Sequence, residues 1–119
     1  MATVFSFLVD PQKFVQWMGT EATIDPRPGG VFRLDVDGEH IAGGRYQEID
    51  PPRRIVFTWG WEGSADVPPG STTVEITLEA DGPDTVLRLR HSDLPDEAQR
   101  EVHAAGWRSY LAQLAQTAR

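Results

Sequence analysis

Apolar and polar positions divide the chain into two short helices, about six strands and a long terminal helix. Val4, Phe5, Leu8 and Val9 recur at helical spacing across Ala2 to Val9. Asp10-Pro11 interrupts that pattern, because proline lacks the amide donor and restricts the residue before it. Asp10 is placed to cap, and Pro11 to open, a second helix that carries Phe14, Val15, Trp17 and Met18 and stops at Gly19. Thr20 to Asp25 reads as a short strand before the Pro26-Arg27-Pro28-Gly29-Gly30 turn. Val31 to Val36 sets Phe32, Leu34 and Val36 on one face. Asp37-Gly38 signals a hairpin, and Ile41 to Ile49 returns with a bulge or bend expected at Gly43-Gly44.

Beyond the Asp50-Pro51-Pro52-Arg53 turn, period two puts Ile55, Phe57, Trp59 and Trp61 on one face of a strand from Arg54 to Trp61. Gly63 to Gly70 has the small, polar, proline-rich composition of a mobile loop. Two further alternating segments, Thr72 to Ala80 and Thr85 to His91, are joined by Asp81-Gly82-Pro83-Asp84. From Pro95 or Asp96 the chain reads as a helix to its end, about 24 residues or about 36 Å. Val102, His103, Gly106, Trp107, Tyr110, Leu111 and Leu114 form its apolar stripe. Strands clustered between helices indicate an α+β fold with a helix laid on one face of an antiparallel sheet. Residues 1–119 read as one domain without internal repeats.

Composition narrows the function. Eleven Lys and Arg against 18 Asp and Glu give a net charge of −7, and Lys13 is the sole lysine. Such a chain repels phosphate, so nucleic acid and anionic membrane surfaces are not expected partners. No cysteine is present, which removes disulfides and thiolate chemistry and fits a cytoplasmic protein. The start has no secretory-signal pattern, and no apolar run approaches a membrane span.

Several segments in order resemble one family. Phe5-Ser6-Phe7-Leu8-Val9-Asp10-Pro11 with Phe14 and Trp17-Met18-Gly19 is similar to the opening helices of the family named after the activator of heat-shock protein 90 ATPase, its homologue-1-like branch within the SRPBCC superfamily. Arg27-Pro28-Gly29-Gly30-Val31-Phe32, the stretch from Gly44 to Trp59, the Thr85 to His91 strand, and His103-Ala104-Ala105-Gly106-Trp107 match the same pattern. The resemblance implies a START-like, helix-grip sheet wrapped around the C-terminal helix, with an apolar cavity between them. Family members usually carry a strand ahead of the first helix, and here that strand is expected to be missing. It would have paired with Thr85–His91, so an exposed edge is expected there, and with it a possible homodimer.

No metal, nucleophile or phosphate-loop pattern stands out: His40, His91 and His103 lie on different elements, Gly-x-Ser-x-Gly is absent, and Gly29-Gly30 leads into a strand. No cofactor is implied. His91 and His103 can converge, one at a strand end and one on the helix that crosses it. The aromatic face is the stronger signal, since an indole is bulky yet carries an N–H that needs a partner. The expected ligand-facing set comprises Trp59, Trp61, Trp107 and Tyr110, with Trp17, Phe32, Tyr46 and Phe57 behind them and Glu75, His91 and His103 as polar groups. Arg45, Glu62 and Asp66 are further polar candidates, and Gly63–Gly70 is the expected gate. The central expectation is that the tryptophan strand and the terminal helix face each other across unfilled space. Three functions follow: non-catalytic binding of a small hydrophobic or aromatic molecule; a cyclase-, aromatase- or hydrolase-type enzyme relying on His91, His103 or Glu75; and, from the family name, a chaperone ATPase cofactor.

Overall fold

A computed structural model describes residues 2–118. Helix α1 (Ala2–Val9) and the single turn α2 (Pro11–Phe14) precede a six-stranded antiparallel sheet, and helix α3 (Glu97–Thr117) follows it. The strands are β1 (Glu21–Ile24), β2 (Val31–Asp35), β3 (Ile41–Asp50), β4 (Arg54–Trp59), β5 (Thr72–Asp81) and β6 (Asp84–Ser92), and each pairs with its neighbour in sequence. Chain order and spatial order therefore coincide. On its outer side β6 pairs with no strand among the described residues.

The helix starts follow from side-chain chemistry. Asp10 Oδ1 accepts from the amides of Gln12 (2.9 Å) and Lys13 (3.3 Å), and Asp96 Oδ1 accepts from that of Gln99 (2.8 Å). Each carboxylate satisfies amides that a helix start leaves without partners. The second helix is shorter than the apolar spacing suggests. After Phe14 the amides of Gln16 and Trp17 bond three residues back, and Gly19 turns away at φ +85°.

Alternation decides which sheet face is buried. Phe32 and Leu34 of β2, Ile55, Phe57 and Trp59 of β4, and Val74, Ile76 and Leu78 of β5 enter one core with Leu8, Phe14 and Trp17. Phe32 and Phe57 stack at 4.3 Å. Burying each such side chain is worth about 1.5–3 kcal/mol. The opposite face carries charge, with Glu79 against Arg88 (2.5 Å) and Arg54 between Glu48 and Glu75.

Two local expectations are corrected. Gly43-Gly44 forms no bulge; the register shift falls between Tyr46 and Glu48. Gly44 serves close approach instead, because a Cβ there would lie 2.0 Å from the Thr58 carbonyl oxygen. Also, β4 ends at Trp59, and Trp61 reaches the sheet through one isolated bridge to Ala42.

Substituting Gly44→Ala is expected to force β3 and β4 apart and destabilise the fold by about 1–3 kcal/mol. A urea midpoint that drops while the denaturant slope stays constant would register it; an unchanged midpoint contradicts this account of the glycine.

Candidate functional site

A cavity of about 240 Å³ lies between the first two-thirds of α3 and the ends of β2 and β4. Helix α3 contributes Gln99, Val102, His103, Gly106, Trp107 and Tyr110, the three-and-four spacing of one helical face. Trp59 and Trp61 form the opposing wall, and Met18 and Val36 close the remaining side. Val102 is 67% exposed and leaves an apolar rim. Gly106 sits inside α3, where glycine costs about 1 kcal/mol relative to alanine. An added Cβ there would meet nothing within 4 Å, so packing does not require the glycine.

Five aromatic rings form a closed circuit beside this space. Trp59 meets Trp61 edge-on at 5.3 Å, Trp61 meets His103 at 6.1 Å, and His103 meets His91 at 5.0 Å. His91 then meets Trp107 at 6.1 Å, and Trp107 returns to Trp59 at 5.2 Å. Strand and helix thus touch at Trp59 and Trp107. The expectation of a gap separating them is corrected: the cavity lies to one side of an aromatic contact.

Hydrogen bonds determine both histidine tautomers. Thr72 Oγ1 donates to the Trp59 carbonyl (2.7 Å), so its contact with His91 Nε2 (2.8 Å) takes the imidazole as donor. His91 Nδ1 is left with its lone pair, which accepts the Trp107 indole N–H (3.0 Å). In His103 the roles of the ring nitrogens are reversed. Its Nε2 accepts the Trp61 indole N–H (2.9 Å), and its Nδ1 donates to the Gln99 carbonyl (2.8 Å). Both rings are neutral, and all four ring nitrogens are engaged. Neither offers a free lone pair for abstracting a proton or holding a metal. Among the described residues no three His, Asp or Glu side chains gather as a metal site.

Trp59 differs from the other three tryptophans. Trp17 donates its indole N–H to the Phe7 carbonyl (2.9 Å), and Trp61 and Trp107 donate to the histidines. Trp59 Nε1 is the one buried side-chain polar atom without a partner among the described residues. Leaving such a donor unpaired costs about 1–3 kcal/mol.

Of the residues singled out in the sequence, Trp59, Trp61, His103, Trp107 and Tyr110 come together at the cavity. His91 lies one ring away, facing a second hollow formed with Leu94, Arg100 and Arg108. Trp17, Phe32, Tyr46 and Phe57 are 1–2% exposed and belong to the packed core. Burial pushes the Tyr46 phenol above its ordinary range, so it stays neutral. Glu75 is on the outer face, 3.0 Å from Arg54, and is not a ligand group. Arg45 bonds the Gly29 carbonyl and Glu62 pairs with Arg33, so neither reaches the cavity.

The Gly63–Gly70 segment contributes nothing to the wall either. Val67 is buried at 1% exposure and its carbonyl accepts the Trp61 amide (2.7 Å), while the Gly70 amide bonds Gly43. That pinning removes the grounds for a gate there. Residues not singled out are Met18, Val36, Gln99, Val102 and Gly106. Val102 and Gly106 were on the helix stripe, so their position was legible but their role was not.

The His91 pKa is lowered to about 4, first by burial and second by the neighbouring His103. The unfolded ring titrates near 6.5, so the unfolded chain takes up the proton first. The stabilisation is complete above pH 6.5 and is lost as pH falls from 6.5 toward 4. Discounted for partial exposure of the ring, the loss is about 2 kcal/mol. Urea unfolding across that interval is expected to show the slope in the parent protein and a flatter one in His91→Asn; identical slopes would refute it.

Comparison with known proteins follows the same lines. The family model described as "Activator of Hsp90 ATPase homolog 1-like protein" matches residues 1–119. The chain is similar to the AHSA1-like protein of Rhizobium etli, solved by NMR. That protein is 45% identical, with a TM-score of 0.75 over 98% of this chain and 73% of the other. CalU16 from Micromonospora echinospora is 30% identical, with a TM-score of 0.77 over 98% and 68%. The Aha1 dimer of Colwellia psychrerythraea shares the fold at 14% identity, with a TM-score of 0.79 over 95% and 83%. No curated protein matches the chain. No described helix is long and apolar enough to cross a membrane. Six antiparallel strands gripping a C-terminal helix, with a family match spanning the sequence, place this chain in the activator of Hsp90 ATPase homologue 1-like family, of START-like fold.

Proposed function

We propose that this protein binds a small, neutral apolar or aromatic molecule in the cavity under α3, without performing chemistry on it. One observation carries the reading. A tryptophan-walled space of about 240 Å³ is kept open at Gly106, where an added Cβ would meet nothing within 4 Å. Stability forgone at a position with room for more atoms suits a site that something else fills. Ligand pockets for drug-sized molecules run to about 300–1,000 Å³, so the expected guest is smaller, of one or two rings. Its binding free energy comes from moving apolar surface out of water onto the indole faces. The engaged nitrogens of His91 and His103 support binding over acid–base catalysis.

The proposal extends to assembly. A second copy would pair along β6, whose outer edge is open beside a hollow of about 700 Å³ that includes Val4, Leu87, Leu111 and Leu114. The related Colwellia protein was solved as a dimer.

Titration with two-ring hydrocarbons such as tetralin, followed through the indole N–H resonances, is expected to move Trp59, Trp61 and Trp107 and leave Trp17 in place. Gly106→Leu is expected to remain folded, gain stability of about 1 kcal/mol and lose that response. Binding that survives the filled cavity overturns the assignment of the site. Light scattering is expected to give twice the 13.2 kDa chain mass; a monomer would remove the β6 pairing and leave the cavity reading intact.

A further inference from the structure

We propose that the ligand of this cavity carries a neutral hydrogen-bond acceptor oxygen, a ketone or comparable aromatic carbonyl, that takes the indole N–H of Trp59. The inference rests on the binding reading above and adds the chemical class of the guest.

The starting point is an accounting of donors. Four tryptophans supply four indole N–H groups, and three are matched: Trp17 to the Phe7 carbonyl, Trp61 to His103 Nε2 and Trp107 to His91 Nδ1. The fourth belongs to Trp59, which is 1% exposed and lines the cavity, and its Nε1 has neither solvent nor a protein acceptor. Buried donors in folded proteins are nearly always satisfied, and an exception calls for an explanation such as a missing bound group.

No acceptor among the described residues takes the Trp59 N–H. The two histidine lone pairs take the other indoles, and the Trp59 and Gln99 carbonyls take Thr72 and His103. The surrounding rings, Trp61, Trp107 and His91, approach Trp59 at 5.2–6.1 Å. The two indoles carry no acceptor nitrogen, and the free lone pair of His91 Nδ1 already takes the Trp107 N–H, so turning it to Trp59 would orphan that donor. A guest that parts Trp59 from these neighbours reaches the N–H and can satisfy it.

Charge and size define the rest of the guest. An indole N–H is one neutral donor, and no Lys or Arg lines the cavity. The chain carries a net charge of −7, which lowers the local concentration of anions. A carboxylate or phosphate would enter without a counter-charge, at a heavy desolvation cost. A carbonyl needs a single donor and brings no charge. A volume of about 240 Å³ accommodates a compact fused-ring ketone.

Tetralone and tetralin have the same skeleton and differ by the carbonyl, which makes them a direct probe pair. Tetralone is expected to bind the parent protein roughly tenfold more tightly, equal to about 1.4 kcal/mol, as a net hydrogen bond to a buried donor provides. In Trp59→Phe the preference is expected to fall to about one. Proton–nitrogen NMR of the unmutated protein gives a second readout that does not depend on the variant folding. The Trp59 indole resonance should move downfield with tetralone and not with tetralin.

Equal or reversed affinities, or a downfield shift confined to Trp61 or Trp107, overturn the acceptor inference while leaving a binding cavity. If neither compound binds, the cavity reading itself fails, and the acceptor inference fails with it.

Discussion

Two tryptophan–histidine hydrogen bonds join the terminal helix to the sheet, and the geometry of the site depends on them. Trp61 leaves the end of β4 and donates to His103 on α3, and Trp107 on α3 donates to His91 at the end of β6. One bond thus runs from sheet to helix and the other from helix to sheet. Each needs a neutral imidazole of a particular tautomer. Thr72 sets one tautomer by spending its own proton on the Trp59 carbonyl, and the Gln99 carbonyl sets the other by accepting from Nδ1. Helix α3 buries only His103, Trp107 and Leu114, so these polar ties carry an unusual share of its docking.

The same ties explain why convergence of two histidines here does not make a catalytic pair. A general base needs a lone pair within reach of substrate, and a metal site needs several such pairs directed at one point. Both lone pairs of His91 and His103 are covered by indole N–H groups. Their 5.0 Å approach is also the second cause, after burial, of the lowered His91 pKa. Proximity of titratable groups is compatible with a purely architectural role once every donor and acceptor is assigned.

Much of the fold was legible from local chemistry. The Asp10 cap, the start of the last helix near Asp96, the alternation of β2 and β5, and the turn at Asp81-Gly82 depend on neighbours within a few residues, and sequence spacing reports those directly. The shortened α2 escaped because Trp17 is drawn to the Phe7 carbonyl, a contact spanning ten residues. The cavity was half legible. Period two placed Trp59 and Trp61 together, and helical periodicity placed His103, Trp107 and Tyr110 together, but neither could tell core from wall. Phe57 and Trp59 share a face, yet one is packed under β2 while the other borders empty space, because α3 crosses nearer the end of β4. Met18 and Val36 stood on the apolar faces read for the second helix and for β2, but both lie past the ends of those elements, and their role as cavity wall was set by packing that spacing does not report. Glu75 was misassigned as a ligand group although alternation with Val74 and Ile76 had already turned it outward.

Of the residues around the cavity, Trp59 alone belongs to a named strand, while six lie on α3 and the others on connecting segments. The ladder that holds the sheet and the surface that meets a guest are therefore almost disjoint sets of positions. Descent can remodel one helical face, exchanging Val102, Gly106 or Tyr110, without disturbing a single inter-strand bond. An architecture divided this way lets chemical preference drift quickly among relatives while the scaffold stays recognisable.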